Sequence, residues 1–296
     1  IRDRCPSRGL GVVYKRQDAN SLVDLIDMGL PGVLPVFNEG AMNQGIKFGL
    51  ATSAKIAETM IFDRKNYFYP DLPKGYQITQ LHYPIVKDGI VDLGGYCFCF
   101  EPSNLFLNTY PLWMPFDAQN ATLGTKVARE VYNNVPHMAG VFEKKYNQKL
   151  LGLFGFDNYG LYTTFAWDSV TELKGRKMSG AGPNLPWVEA VGAIPVGTTL
   201  PDVYPSLQTG VYDGVLLFPS VGWSHKLFEP APHYKIVGFG SKTFHGVTIN
   251  MDTWKSLPAD VQKAMSEAGM ETEDFTGPWV DELEATNLGR MVMAGA

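Results

Sequence analysis

From residue 89 onward the chain alternates short apolar runs with segments whose apolar positions recur every three or four residues. "IVDLGGYCFCF", starting at Ile90, is a continuous apolar run with glycines, the pattern of a strand buried on both faces of a parallel sheet. "NATLGTKVAREVYNNV" places Leu123, Val127 and Val131 four residues apart and predicts a helix. "KLLGLFGF" predicts a second buried strand, "ELKGRKM" a short strand after a turn, and "IPVGT" another strand. "NLPWVEAVGA" predicts a short helix closed by Gly192. "LPDVYPSLQTG" predicts a helix with Pro201 in its first turn and Gly210 at its end. "YDGVLLF", "YKIVGFG" and "HGVTIN" read as strands. "SLPADVQKAMSEAG" predicts a helix that starts at Ser256, carries Pro258 early, sets Val261 and Met265 on one face and ends at Gly269. This succession predicts an α/β fold with a mostly parallel sheet.

Before residue 89 the character differs. Residues 18–88 read as loops and short helices rich in Gly, Pro and Asn. "FDRKNYFYPDLPKGYQITQ" (62–80) obeys neither the helical nor the strand period, because Asp63 to Asn66 interrupt both. Mixed charge and aromatic residues on an ordered loop are what a chemical site requires. Residues 1–17 show no period and no caps, and are read as a scar or disordered segment outside the fold. The change of pattern places a junction between Val86 and Tyr96.

Composition narrows the function classes. A 45% hydrophobic fraction over 296 residues supplies a sizeable core for one large domain or two ordinary ones. No run approaches the roughly 18 apolar residues of a membrane span. The basic start lacks the apolar stretch of an export signal. The net charge of -5 divides as +4 over residues 1–17, -2 over 18–88 and -7 over 89–296. An acidic main body argues against nucleic-acid binding by residues 89–296, since phosphate neutralisation needs Lys and Arg. Cys97 and Cys99, two apart on an apolar run, read as buried thiols, and no metal-ligand spacing accompanies them. Residues 89–296 contain no G-x-S-x-G, H-E-x-x-H or P-loop. Their histidines, His137, His225, His233 and His245, are scattered and are expected on loops or the surface. No catalytic residues, cofactor or metal are expected there.

"GIVDLGGY", "TELKGRKM", "GAIPVGTTLPDVYPSLQTGVYDGV" and "NMDTWKSLPADVQKAMSEAG" occur in the order and spacing found in periplasmic solute-binding proteins of tripartite ATP-independent periplasmic (TRAP) transporters. Residues 89–296 resemble that DctP-like family. "MGLPGVLPVFNEGAMNQGIKFGLA" and the 62–80 stretch resemble the B component of the aspartyl/glutamyl-tRNA amidotransferase, an ATP-dependent cytoplasmic enzyme acting on tRNA. The two resemblances together imply a chimera. An amidotransferase fragment (18–88) precedes a two-lobed, type II periplasmic binding-protein fold whose first lobe is incomplete. The implied lobes are 89–156 with 245–284, and 157–244 with 285–296. Lacking its opening strand, the first lobe's sheet is expected to have an unpaired edge. The implied partners are a small-molecule ligand held in a cleft that closes by hinge bending, and the TRAP membrane subunits. The implied location is periplasmic. ATP and tRNA would concern only residues 18–88, where the resemblance points to Arg64, Lys65, Tyr67, Tyr69, Asp71, Lys74, Tyr76 and Gln77.

The resemblance also implies a carboxylate-binding arginine after "LKG", where the fork of a guanidinium matches two oxygens. This chain has Ser179 at that position. Arg176 lies an odd number of residues away, on the opposite strand face. The common asparagine after the "DG" turn is replaced by Leu217 or Phe218. The expected ligand is therefore neutral or partly apolar, or else a monocarboxylate held by backbone N–H groups of "SGAGPN". The expected lining is Phe98, Phe100, Phe156, Asn158, Tyr159, Ser179, Asn184, Leu217, Phe218 and Trp223. Core packing is an equal account of Phe98 and Leu217, whereas Asn158, Tyr159 and Trp223 read as loop residues.

Overall fold

A computed structural model of the chain describes residues 35–37, 86–89, 92–98 and 103–296. Phe100 and the eight amidotransferase-like residues from Arg64 to Gln77 lie outside them.

The first sheet contains β1 (Pro35–Phe37), β2 (Leu93–Cys97), β3 (Gln148–Asn158) and, between β2 and β3, a long strand at Ser241–Asn250. The second sheet contains β4 (Gly160–Thr163), β5 (Lys177–Gly180), β6 (Ile194–Gly197), β7 (Gly214–Leu217) and β8 (His233–Lys235) in the order β6-β5-β7-β4-β8. The Ser241–Asn250 strand is β9. The helices are α1 (Ala121–Asn134), α2 (Pro136–Tyr146), α3 (Leu185–Glu189), α4 (Leu200–Gln208), α5 (Pro219–Ser224), α6 (Met251–Ser256) and α7 (Ala259–Met293). None of the helices among the described residues is long and apolar enough to cross a membrane.

The sheets are mixed rather than mostly parallel. β5 runs parallel to β6 and β7, but β4 is antiparallel to β7 and β8, and β2 is antiparallel to β9. All ten residues of β9 are buried, its polar ones included, so both faces of the strand are covered. The expected bare edge is also corrected over three residues: β1 lies parallel to β2, pairing Pro35 with Leu93 and Phe37 with Gly95. β8 is shorter than "YKIVGFG" because Gly238 and Gly240 adopt φ of 76° and 100°, which no strand accommodates.

The helix "SLPADVQKAMSEAG" differs most. Ser256 ends α6 instead of starting a helix, and α7 continues through Gly269 and Pro278 to Met293. Gly269 is a contact point rather than a terminator: a Cβ there would stand 2.0 Å from the Leu151 carbonyl oxygen. α6 is started by Asn250, whose Oδ1 accepts the Asp252 and Thr253 N–H groups at 2.8 and 3.1 Å. α1 is started by Asn120, which accepts from Leu123 N at 2.8 Å, and by Asp281, which accepts from Ala121 N at 2.6 Å.

The chain forms two compact units. The first comprises 1–100, 127–154 and 245–276, and the second 101–126, 155–244 and 277–296. Relative to the lobes expected from sequence, residues 101–126 and 277–284 sit with the second unit. Backbone bonds tie 114–118 there: Phe116 N donates to Phe239 O and Ser241 N to Ala118 O, both at 2.7 Å. In the first unit, Arg129 forks onto Glu273 through Nε at 2.8 Å and a second, shorter bond, while Leu153 N donates to the same carboxylate at 2.6 Å.

The second unit buries Asp157 on β3. Its carboxyl oxygens accept the Ser220 N–H and hydroxyl, both at 2.6 Å, at the start of α5. Burial nevertheless pushes this carboxyl up to about 7. The unfolded chain ionises near pH 4, so between there and pH 7 the folded state holds the extra proton. This stability is complete below about pH 4 and is lost as pH rises through 7, to the extent of roughly 4 kcal/mol. In the first unit His245 is a buried strand residue, not the surface histidine expected, and burial lowers it to about 3. It acts with the opposite sign, its stability vanishing as pH falls below about 6.5. Asp157→Asn keeps an oxygen for Ser220 N. We expect it to raise stability at pH 8 relative to the parent and leave stability at pH 4 nearly unchanged, as read by urea midpoints. Equal effects at both pH values would remove Asp157 as the titrating group.

Candidate functional site

The ends of β3, β5 and β7, the start of β9 and the first turn of α3 gather an aromatic and polar cluster within the second unit. Seven rings form a continuous path. Phe116 meets Phe239 at 5.4 Å, Phe239 meets Trp187 at 5.0 Å, and Trp187 meets Tyr159 edge-on at 5.9 Å. Tyr159 meets Phe218 at 5.0 Å, Phe218 meets Phe156 at 5.0 Å, and Phe156 stacks on Phe244 at 5.5 Å. Offset and edge contacts of this kind add to area burial. Phe116 is 64% exposed and holds φ at 68°, in the left-handed region that a bulky residue enters only when its surroundings impose it. Its N–H bond to Phe239 O and the ring contact with Phe239 do so here.

Polar groups punctuate the path. Asn158 Oδ1 accepts Gly240 N at 2.9 Å, its Nδ2 reaches Gln119, and its own N–H donates to Glu284 at 2.9 Å. Lys242 is wholly buried, donates to Met114 O at 2.7 Å and to the Asp117 carboxylate, and lies 5.3 Å from the Trp187 ring centroid. Burial pushes its ammonium below the usual range, and the hydrogen bond to Asp117 holds it up. Burial likewise raises Asp117 against the opposing pull of Lys242. Tyr159 is raised by burial and by Asp157.

Asn184 is fully buried. Its Oδ1 accepts Ala181 N at 2.9 Å, which fixes the orientation of the amide. Among the described residues its Nδ2 has no acceptor, and neither has the buried indole N–H of Trp187. Gly180 is required beside it, because a Cβ there would fall 2.6 Å from Asn184 Oδ1. Ser179, at the expected arginine position, donates its hydroxyl to Val196 O at 2.9 Å and is tied to the sheet. Arg176 is 4.0 Å from Asp213 and 4.2 Å over the Phe165 ring. In the "SGAGPN" loop the Ala181 N–H is bonded to Asn184, and the Gly182 carbonyl accepts from Leu185 N at the start of α3.

Phe156, Asn158, Tyr159, Asn184 and Phe218 are therefore brought together. Asn158 and Tyr159 are not loop residues: one ends β3 and the other is the single link to β4. Leu217 ends β7, packed in the sheet at 9% exposure. Trp223 is on α5, half-buried, stacked 5.5 Å from Phe228 and apart from the seven-ring path. Phe98 belongs to the first unit, buried 5.1 Å from Phe142. Sequence reasoning missed Phe116, Asp117, Trp187, Phe239 and Lys242. None of the five carried a signal in the sequence; even Lys242 lies among other polar residues of β9, Ser241, Thr243 and His245. A separate groove of about 670 Å³ beside Tyr204, Leu207, Thr209 and Pro230 holds none of these residues, and the ring path outweighs it as a site.

The family model of bacterial extracellular solute-binding protein, family 7, matches residues 86–296. The chain belongs to this family. A second match, to the GatB/GatE catalytic domain, covers residues 5–122. The B component of the aspartyl/glutamyl-tRNA(Asn/Gln) amidotransferase of Moraxella catarrhalis is 53% identical over 77 residues, 26% of this chain and 16% of that protein. Its Nitrosococcus oceani counterpart is 60% identical over 72 residues, 24% of this chain and 15% of its own. The chain thus spans about a sixth of these curated relatives. Among solved structures, the family 7 chain is similar to a TRAP periplasmic solute-binding protein of Bordetella bronchiseptica holding (R)- and (S)-mandelate. That likeness has a TM-score of 0.72 and 25% identity, covering 90% of this chain and 84% of that one. A Sulfitobacter protein with bound β-D-galacturonate shares the fold, with a TM-score of 0.67 at 16% identity over 89% and 87% of the two chains.

Proposed function

We propose that this chain is the extracytoplasmic, periplasmic solute-capturing component of a TRAP transporter, and that its ligand is a small organic solute with an aromatic or otherwise apolar body. It works by binding and carries out no chemical step. Membrane subunits of the transporter are its partners. The observation that carries the ligand reading is the seven-ring path, which replaces the guanidinium expected after "LKG". Apolar walls with a few placed polar groups suit such a ligand. The mandelate complex of the Bordetella protein, an aryl solute at 25% identity, supports the same class. The amidotransferase-like residues contribute nothing to this function and, at about a sixth of the amidotransferase component, have no transamidation activity of their own.

A thermal-shift screen tests the proposal. Benzoate, mandelate and phenylacetate are expected to raise the melting temperature, because a ligand at a hundred times its Kd stabilises the native state by about 2.7 kcal/mol. Galacturonate is expected to leave it unmoved. Stabilisation by sugar acids alone, or ATP-dependent amidation of mischarged tRNA by the same preparation, would reverse the assignment.

A further inference from the structure

We propose that Asn184 Nδ2 and Trp187 Nε1 form a two-donor clamp for a carboxylate on the ligand, doing with neutral N–H groups what an arginine fork would otherwise do. The inference rests on the solute-binding reading and deepens it.

Buried polar groups are almost always hydrogen-bonded, and each exception calls for an explanation. Here two exceptions lie one helical turn apart, on the last residue before α3 and within its first turn. Both are donors, so what is missing is an acceptor. The amide cannot be flipped to relieve this, because Oδ1 is engaged by Ala181 N. The indole N–H belongs to the third ring of the aromatic path, between Tyr159 and Phe239. A ligand whose apolar body lies along those rings would bring its oxygens to these two donors. A buried cation, Lys242, lies 5.3 Å from the centre of the same indole ring, and two of its three N–H groups are engaged by Met114 O and Asp117. That positive charge favours an anionic acceptor over a neutral carbonyl. The family 7 fold thus keeps a carboxylate site after its usual cationic anchor is gone, with specificity set by two neutral donors and the ring path.

Substitutions at the two positions isolate the donors. Trp187→Phe keeps a six-membered aromatic ring and removes the N–H with the five-membered ring that carries it; the benzothienyl isostere of Trp187, in which sulfur replaces the N–H, removes the donor at nearly constant shape. Asn184→Asp keeps the oxygen that Ala181 uses and turns the free donor into an acceptor. The probes are benzoate, mandelate and phenylacetate, each compared by calorimetry with its aryl alcohol. The parent is expected to prefer the acids at least tenfold. Each variant should weaken the acids tenfold or more and leave the alcohols within about twofold.

A second readout needs no ligand. Deleting a buried donor that has no partner at constant ring shape relieves an uncompensated group, so the benzothienyl variant should melt at or above the parent temperature. A donor bonded within the protein would give a lower one, and Trp187→Phe is read by binding alone because the smaller ring also loses packing. Acids that bind the variants as they bind the parent, or a benzothienyl variant that melts clearly lower, would overturn the clamp. Binding of the alcohols alone would overturn it too, with the solute-binding reading intact. Failure of both sets to bind the parent would remove the two readings together.

Discussion

Gly269→Ala is expected to unfold at a temperature on the order of 5 °C below the parent, although it places the best helix former inside a 35-residue helix. Two effects compete. Alanine gains about 1 kcal/mol of helix propensity over glycine. Against this, its Cβ would stand 2.0 Å from Leu151 O and 2.8 Å from Leu151 C, both backbone atoms of β3 that cannot rotate aside. A second glycine, Gly152, sits in the same contact, its own added Cβ meeting Gly269 O at 3.1 Å. Separating a helix from a strand costs about 1–3 kcal/mol or more in such overpacked sites, so the contact outweighs the propensity. Gly140 in α2 is the control within the same unit. Nothing lies within 4 Å of its added Cβ, and Gly140→Ala should stabilise by up to about 1 kcal/mol. Urea unfolding of the two variants side by side decides the matter, and destabilisation by both or by neither would show that the close approach is not what makes Gly269 necessary.

The second large effect concerns the Arg129–Glu273 pair. Glu273 is 6% exposed and Arg129 29%, and burial raises the Glu273 carboxyl against the opposing effects of Arg129 and of the Leu153 N–H. Arg129→Met keeps the stem and removes the partner, leaving a buried carboxylate with one backbone donor. The expected loss at pH 7 is about 3–5 kcal/mol. With Arg129 gone, the folded-state carboxyl titrates higher still. The variant therefore regains stability as pH falls toward the ordinary glutamate range and loses it as pH rises. Glu273→Gln retains an oxygen for Leu153 N, so the double variant should recover much of the loss. A double-mutant cycle at pH 5 and pH 8 measures this, and a single variant with the same deficit at both would argue that lost packing, not a stranded charge, is responsible.

Sequence made some of this visible for physical reasons that differ by element. β3 was legible because a strand buried throughout is apolar along most of its length, and β9 only over "HGVTIN", since Ser241, Lys242 and Thr243 are polar although buried; α1 was found through Leu123, Val127 and Val131, yet Leu123 and Val127 are exposed and the buried face is Ala121, Thr125, Ala128 and Tyr132. α7 was not, because Gly269 and Pro278 are also the residues that end helices, and only the tertiary contact with Leu151 distinguishes a notch from a stop. The turn at Gly238–Gly240 cut β8 short through backbone conformations that glycine permits but does not advertise. In the site, Phe156, Tyr159 and Phe218 could be found from their places at strand ends. Trp187 and Lys242 could not, since a tryptophan in a short amphipathic helix and a lysine in a strand look like wall and surface until their partners are known. The missing guanidinium was legible as Ser179, and Asn184 as a neighbour of the glycine-rich loop; the Trp187 donor was not.

The chain passes between its two compact units five times, at 100/101, 126/127, 154/155, 244/245 and 276/277. Neither unit is a continuous stretch, and each needs a segment from beyond residue 244 to be complete. Domains normally fold as units while the ribosome is still working, N-terminal part first. Here that order is closed to both. Neither unit can close before the stretch beyond residue 244 has left the ribosome, so commitment to the fold comes late in synthesis.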